Sequence, residues 1–128
     1  MERWIPTLDI VSGDVIRWTE AVWPPDSWSL GKKARPIGTR TVVARVTSES
    51  YGQKTQQHTF TLIVVASDGC EPLTPGQRIM RKGRNLYREV PQRLLWDDEQ
   101  QRQLVAQEKH QRGDAARRKR QERQLLTQ

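Results

Sequence analysis

Three stretches in the first half of the chain alternate apolar and polar residues with a period of two. Residues 14–23 place Ile16, Trp18 and Val22 on one face, with Arg17 and Thr19 opposite. Residues 38–49 set Val42, Ala44 and Val46 against Thr41, Val43 and Arg45. Residues 58–67 group Phe60, Leu62 and Val64 opposite Thr59, Thr61, Ile63 and Val65. Alternation carried by Val, Ile, Thr and aromatics marks half-buried strands, because successive side chains leave a pleated backbone on opposite faces. Turn chemistry brackets each run, at Ser12-Gly13-Asp14, Tyr51-Gly52-Gln53, Ser67-Asp68-Gly69 and Pro75-Gly76. Two shorter runs follow, 77–82 and 85–89, and the Gly83-Arg84 pair between them predicts a tight hairpin.

These runs predict a mainly β body: five antiparallel strands with no helix of consequence before Pro91. A sheet of that size is expected to close into a small five-stranded antiparallel barrel or rolled sheet, since closure removes exposed edges. SH3-like and OB-like barrels are the two candidates. Short connections among strands two to five favour the SH3-like form, leaving 23–36 as the one long loop. An apolar-x-x-Gly-x-x-Ile pattern occurs twice, from Ile10 through Gly13 to Ile16 and from Leu73 through Gly76 to Ile79. Both copies read as a turn that delivers the chain into a strand, with Gly supplying a backbone angle other residues resist.

Composition changes after Pro91. From 97 to 128, 22 of 32 residues are Gln, Lys, Arg, Asp or Glu, too few apolar side chains to build a core. The chain therefore divides into a small β-barrel body, 1–91, and a charged α-helical tail, 92–128. Asp97 is the expected N-cap, with Gln100 three residues on completing a capping box. Gly113 is expected to end or kink the helix, and Leu94, Leu95 and Trp96 to pin its start to the body.

Lys plus Arg number 22 against 15 Asp plus Glu, a net charge of +7. The body carries 13 cationic and 9 anionic side chains and the tail 9 and 6, so position matters more than the total. Arg78, Arg81, Lys82, Arg84 and Arg88 fall within eleven residues that contain no acid, with Asn85 and Tyr87 interleaved. Such a hairpin suits backbone phosphates and one stacked base. The bland alternative is an edge strand decorated with cations to discourage pairing. Lys32, Lys33, Arg35 and Arg40 form a second cluster in the long loop, which joins the first if the fold brings the two together. In the tail, Arg117, Arg118, Lys119 and Arg120, flanked by Arg112 and Arg123, spread around the helix as an arginine-rich arm or a solvated helix end. No heptad of apolar positions supports a coiled coil.

The inventory argues against an enzyme. Cys70 is the one cysteine, His58 and His110 are the two histidines, and neither metal-ligand spacing nor a glycine-rich phosphate loop occurs. No catalytic site, metal or cofactor is expected. A lone cysteine excludes a disulfide scaffold and suits a reducing compartment. With no apolar run of spanning length and no secretory start, the expected location is cytoplasmic, away from membranes. Five of the eight aromatics are Trp, and this singles out Trp-Pro-Pro-Asp-Ser-Trp, where prolines stiffen the segment between Trp23 and Trp28. The two rings serve either as a lid on the barrel or as a platform for a partner. The expected function is a non-enzymatic nucleic-acid-binding small barrel, contacting DNA or RNA without sequence preference, as an accessory or regulatory factor of a larger nucleoprotein assembly. The alternative is a protein-interaction module, an adaptor or inhibitor such as a mobile element would carry. It would hold an acidic or proline-containing partner through Trp23 and Trp28, with the tail as tether.

Overall fold

The computed structural model describes residues 3–25, 31–51 and 58–126. Trp28 lies outside the described residues. Among the described residues, six strands form one antiparallel sheet: β1 (Trp4–Pro6), β2 (Val15–Val22), β3 (Gly38–Tyr51), β4 (His58–Gly69), β5 (Arg78–Lys82) and β6 (Gln92–Leu94). Their order is β1-β6-β2-β3-β4-β5, so the sheet is open, with β1 and β5 at its ends. A single helical turn, α1 (Gly83–Leu86), follows β5, and a 28-residue helix, α2 (Glu99–Leu126), ends the described chain. Contacts divide the protein into two compact units, Met1–Leu95 and Trp96–Gln128.

The three alternating runs are β2, β3 and β4, and their apolar faces make the core. Ile16, Trp18, Val22, Val42, Ala44, Val46, Phe60, Leu62 and Val64 are all buried, joined by Ile10, Ile79 and Leu86. Burying each of the larger side chains is worth about 1.5–3 kcal/mol. β3 and β4 pair over almost their whole length, with register shifts between Val43 and Ala44 and between Val46 and Ser48. Bulges of this kind bend and twist long strands, which lets one sheet curve around its own apolar face.

The doubled Gly pattern resolves into two turns with the same bonds. Gly13 and Gly76 have φ of 99° and 89°. Each glycine N–H donates to a neighbouring strand, to Val46 O at 2.8 Å and to Val64 O at 2.7 Å. The next residue closes the turn on the carbonyl three positions back, Asp14 on Val11 and Gln77 on Thr74. Its side chain then accepts that same residue's N–H, Asp14 Oδ2 from Val11 at 3.0 Å and Gln77 Oε1 from Thr74 at 3.2 Å. The copies differ in burial, since Asp14 is inaccessible and Gln77 is exposed. Asp14→Ala leaves a buried N–H without its acceptor and is expected to cost about 1–3 kcal/mol, whereas Gln77→Ala costs well under about 1 kcal/mol. Urea unfolding of the two variants measures the contrast.

Several of these expectations are corrected. Residues 83–89 form no hairpin: the chain turns helically at α1, with the Tyr87 N–H donating to Gly83 O at 2.9 Å. A strand would send Leu86 and Tyr87 to opposite faces. The turn directs both at the core, where Leu86 is 1% exposed and the Tyr87 hydroxyl accepts the Ile10 N–H at 2.8 Å. The sheet also gains strands at both termini, because β6 pairs with β1 and with β2, carrying the body past Pro91. Leu94 lies in β6, and the Leu95 N–H just beyond it donates to Arg3 O. Finally, α2 is capped by Asp98 rather than Asp97, its Oδ1 accepting the N–H groups of Gln100 at 3.0 Å and Gln101 at 3.4 Å. The helix runs unbroken through Gly113, whose penalty of about 1 kcal/mol relative to Ala is absorbed among Glu, Gln, Lys, Arg and Ala neighbours.

Candidate nucleic-acid interface

Glu20 occupies the position on β2 that continues the buried face of Ile16 and Trp18. In register it lies directly opposite Arg40 of β3, and Arg81 reaches it from β5. Arg40 Nε and Nη2 contact Glu20 Oε2 at 2.9 and 2.8 Å. Arg81 Nε donates to Oε1 and its Nη2 to Oε2, both at 2.9 Å, and Trp18 Nε1 donates to Oε1 at 2.8 Å. Burial pushes the Glu20 pKa upward. Hydrogen bonds from Arg81 and Trp18, the charge of Arg81 and a hydrogen bond from Arg40 outweigh it and hold the carboxyl at about 2. The remaining ends of the guanidiniums are also held, Arg40 Nη1 on Glu71 O and Arg81 Nη1 on Met80 O, each at 2.9 Å. Both arginines are therefore fixed in orientation as well as neutralised in part.

This cluster forms one wall of a cavity of about 500 Å³. Trp23, Arg40, Arg81, Asn85 and Arg88 line it together with Glu20 and Glu89. The fold thus brings Arg40 of the loop cluster beside Arg81 and Arg88 of the acid-free segment, and adds Trp23, which is 50% exposed. The α1 turn achieves this: it carries Asn85 and leads into Arg88, while Leu86 anchors it in the core.

The other cations lie elsewhere. Arg78, Lys82 and Arg84 are exposed along β5 and α1. Neither they nor Arg88 form an ion pair among the described residues. Tyr87 is committed to the core, its ring packing edge-on to Phe60 with centroids 6.4 Å apart. Lys32, Lys33 and Arg35 are exposed in and after the 3-10 turn Gly31–Lys33, outside the cavity lining. On α2, Arg117, Arg118 and Lys119 are exposed, and Arg117 pairs with Asp114 one turn earlier. The side chain of Arg120 lies outside the described residues.

Two residues escape the charge-cluster reading. Glu20 carries a signal in the sequence, an acid on the apolar face of a strand, where charges rarely sit without a partner. Arg17 stacks over the Trp4 ring at 4.4 Å and donates to Gln92 Oε1, joining β2 to the terminal strands. It also lines a second cavity of about 270 Å³ with Thr19, Thr41, Val90 and Gln92.

The family described as Domain of unknown function (DUF7699) matches residues 11–96, more than half of the chain. The chain belongs to the DUF7699 family. The DUF7699 region begins at the first Gly turn and runs through β6, so it contains the Glu20 cluster and every residue lining the larger cavity. The α2 helix lies outside it. The chain is also similar to "Zinc finger CCCH domain-containing protein 62" of Oryza sativa subsp. japonica, at 40% identity over 113 residues. That match covers 88% of this chain and 16% of the rice protein, so the chain spans about one sixth of its relative's length. No solved structure matches the chain. Among the described residues, no group of three or more His, Cys, Asp and Glu side chains could hold a metal, and no helix is long and apolar enough to cross a membrane.

Proposed function

We propose that this DUF7699 domain is a non-enzymatic nucleic-acid-binding module that tracks a phosphate backbone along β5 and α1. One observation carries the reading. Arg78, Lys82, Arg84 and Arg88, none of them in an ion pair among the described residues, are exposed on one continuous segment that contains no acid. Cations arranged this way bind phosphates by releasing counterions and carry no sequence preference of their own. The exposed Arg117, Arg118 and Lys119 of α2 serve as a second, arginine-rich contact. The sheet is read as an SH3-like roll, in which the chain passes from β5 through the single turn α1 into β6, which pairs with β2, and Leu86 fills the interior.

The kinship with a rice protein named for a CCCH zinc finger supports an accessory role beside another domain. This chain, with a single cysteine, cannot itself furnish the three cysteines of such a finger. The free thiol of Cys70 suits a reducing, cytoplasmic setting.

Titration of the full chain with single-stranded and duplex DNA and RNA at several salt concentrations tests the proposal. Wild type is expected to bind with a steep salt dependence. A variant with Arg78, Lys82 and Arg84 all changed to Ala is expected to lose about 2 from the log–log slope for single strands, at about 0.7 per phosphate contact. Absence of binding at low salt overturns the proposal. Capture of an acidic polypeptide in its place makes the domain a protein-interaction module.

A further inference from the structure

We infer that the cavity between β2, β3, β5 and α1 is a pocket for one nucleotide unit, with its base on Trp23 and its phosphate on the guanidiniums of Arg40, Arg81 and Arg88. The inference rests on the nucleic-acid reading above and assigns that surface a second, discrete element. At about 500 Å³ the cavity has the capacity of small-molecule sites, which run from roughly 300 to 1,000 Å³.

Its lining holds three chemistries that a nucleotide combines and that simpler anions lack. Trp23 is a large aromatic left half exposed at the cavity, and a base stacks on such a ring whatever its identity. A guanidinium has five N–H donors. Arg40 and Arg81 each commit Nε, Nη1 and Nη2 to a partner, and each Nη keeps a second hydrogen, so two donors per guanidinium remain for a ligand. Because Glu20 already holds both groups, little side-chain freedom is lost when an anion arrives. Arg88 adds a third cation. Three guanidiniums against Glu20 and Glu89 leave one net positive charge, which attracts the phosphate of a nucleotide as monoester or diester. Asn85, a donor and an acceptor at once, supplies a group for a base edge.

Both a free nucleotide and a residue within a strand offer this chemistry. The test uses the full chain, following the indole N–H of Trp23 by NMR and measuring affinity by calorimetry. The probes are AMP, UMP, adenosine, ribose 5-phosphate, inorganic phosphate and a single-stranded RNA octamer. AMP and UMP are expected to bind about tenfold tighter than adenosine or ribose 5-phosphate, and to shift the Trp23 resonance. Tighter binding of the octamer than of either mononucleotide assigns the pocket to a strand residue; the reverse assigns it to free nucleotides. Trp23→Ala, a change at a half-exposed side chain, is expected to weaken AMP and octamer binding about tenfold while leaving the melting temperature and the octamer's salt slope in place. Equal binding of AMP, adenosine and inorganic phosphate overturns the pocket, as does an octamer affinity unmoved by Trp23→Ala. The two proposals fail separately. Octamer binding that responds to the Arg78, Lys82 and Arg84 variant but not to Trp23→Ala leaves the backbone ridge standing without the pocket. Binding of AMP without octamer binding leaves the pocket and removes the ridge.

Discussion

Glu20→Gln is expected to lower the stability of the DUF7699 domain by about 3 kcal/mol at neutral pH. The native carboxyl titrates at about 2, against an ordinary value of 4.5. Each pH unit between those values corresponds to about 1.4 kcal/mol of stabilisation. Because the folded-state value is the lower one, this contribution is complete above about pH 4.5 and is lost as pH falls toward 2. The side chain is only 16% exposed, so solvent screens the interaction weakly. Glutamine keeps the shape and one acceptor but leaves two half-buried guanidiniums without their counter-charge, the costly way to break such a cluster. Urea unfolding of wild type and variant at pH 7 and at points between 4.5 and 2 measures both features. The gap is expected to be widest at pH 7 and to close on acidification. Replacing Glu20, Arg40 and Arg81 together by Leu is expected to recover much of the loss, since it removes the desolvated charges along with their attraction.

Leu86→Ala is expected to cost about 3 kcal/mol, within the range of 2–5 kcal/mol for truncating a fully buried leucine. Its consequences reach the site. A one-turn helix has no stability of its own, so α1 persists because Leu86 is buried and Tyr87 bonds to Ile10. Loss of the anchor frees Asn85 and Arg88, which line the cavity from this segment. Denaturant unfolding reports the stability loss, and hydrogen exchange of the amides from 83 to 88 is expected to quicken more than that of β3 and β4. Leu86→Met preserves the volume and is expected to cost less than about 1.5 kcal/mol.

Only some of the candidate site is legible in the one-dimensional pattern. The acid-free run from Arg78 to Arg88 is visible as composition, yet its members part company in space. Arg81 turns to Glu20 from 61 residues away, while Arg78, Lys82 and Arg84 stay in solvent. Tyr87, interleaved with the cations, belongs to the core. Trp23 and Arg40 read as parts of two separate loop features, and they become one wall only where β2 and β3 meet β5 and α1.

By itself the sequence determined the three long strands, the face each one buries and the two Gly turns that start β2 and β5. These follow from local chemistry, period-two alternation and a backbone angle that only glycine adopts freely. The tertiary structure decided what depends on distant partners. β1 and β6 are three-residue strands with too little pattern to announce themselves, and they exist because each finds a neighbour to pair with. The 83–89 segment became a helical turn because the core needed Leu86 and Tyr87 on the same side. Glu20, an acid on an apolar face, acquired its meaning only when two arginines from other strands closed on it. Periodicity records which side of a strand is buried, whereas the identity of whatever meets that side is a property of the fold.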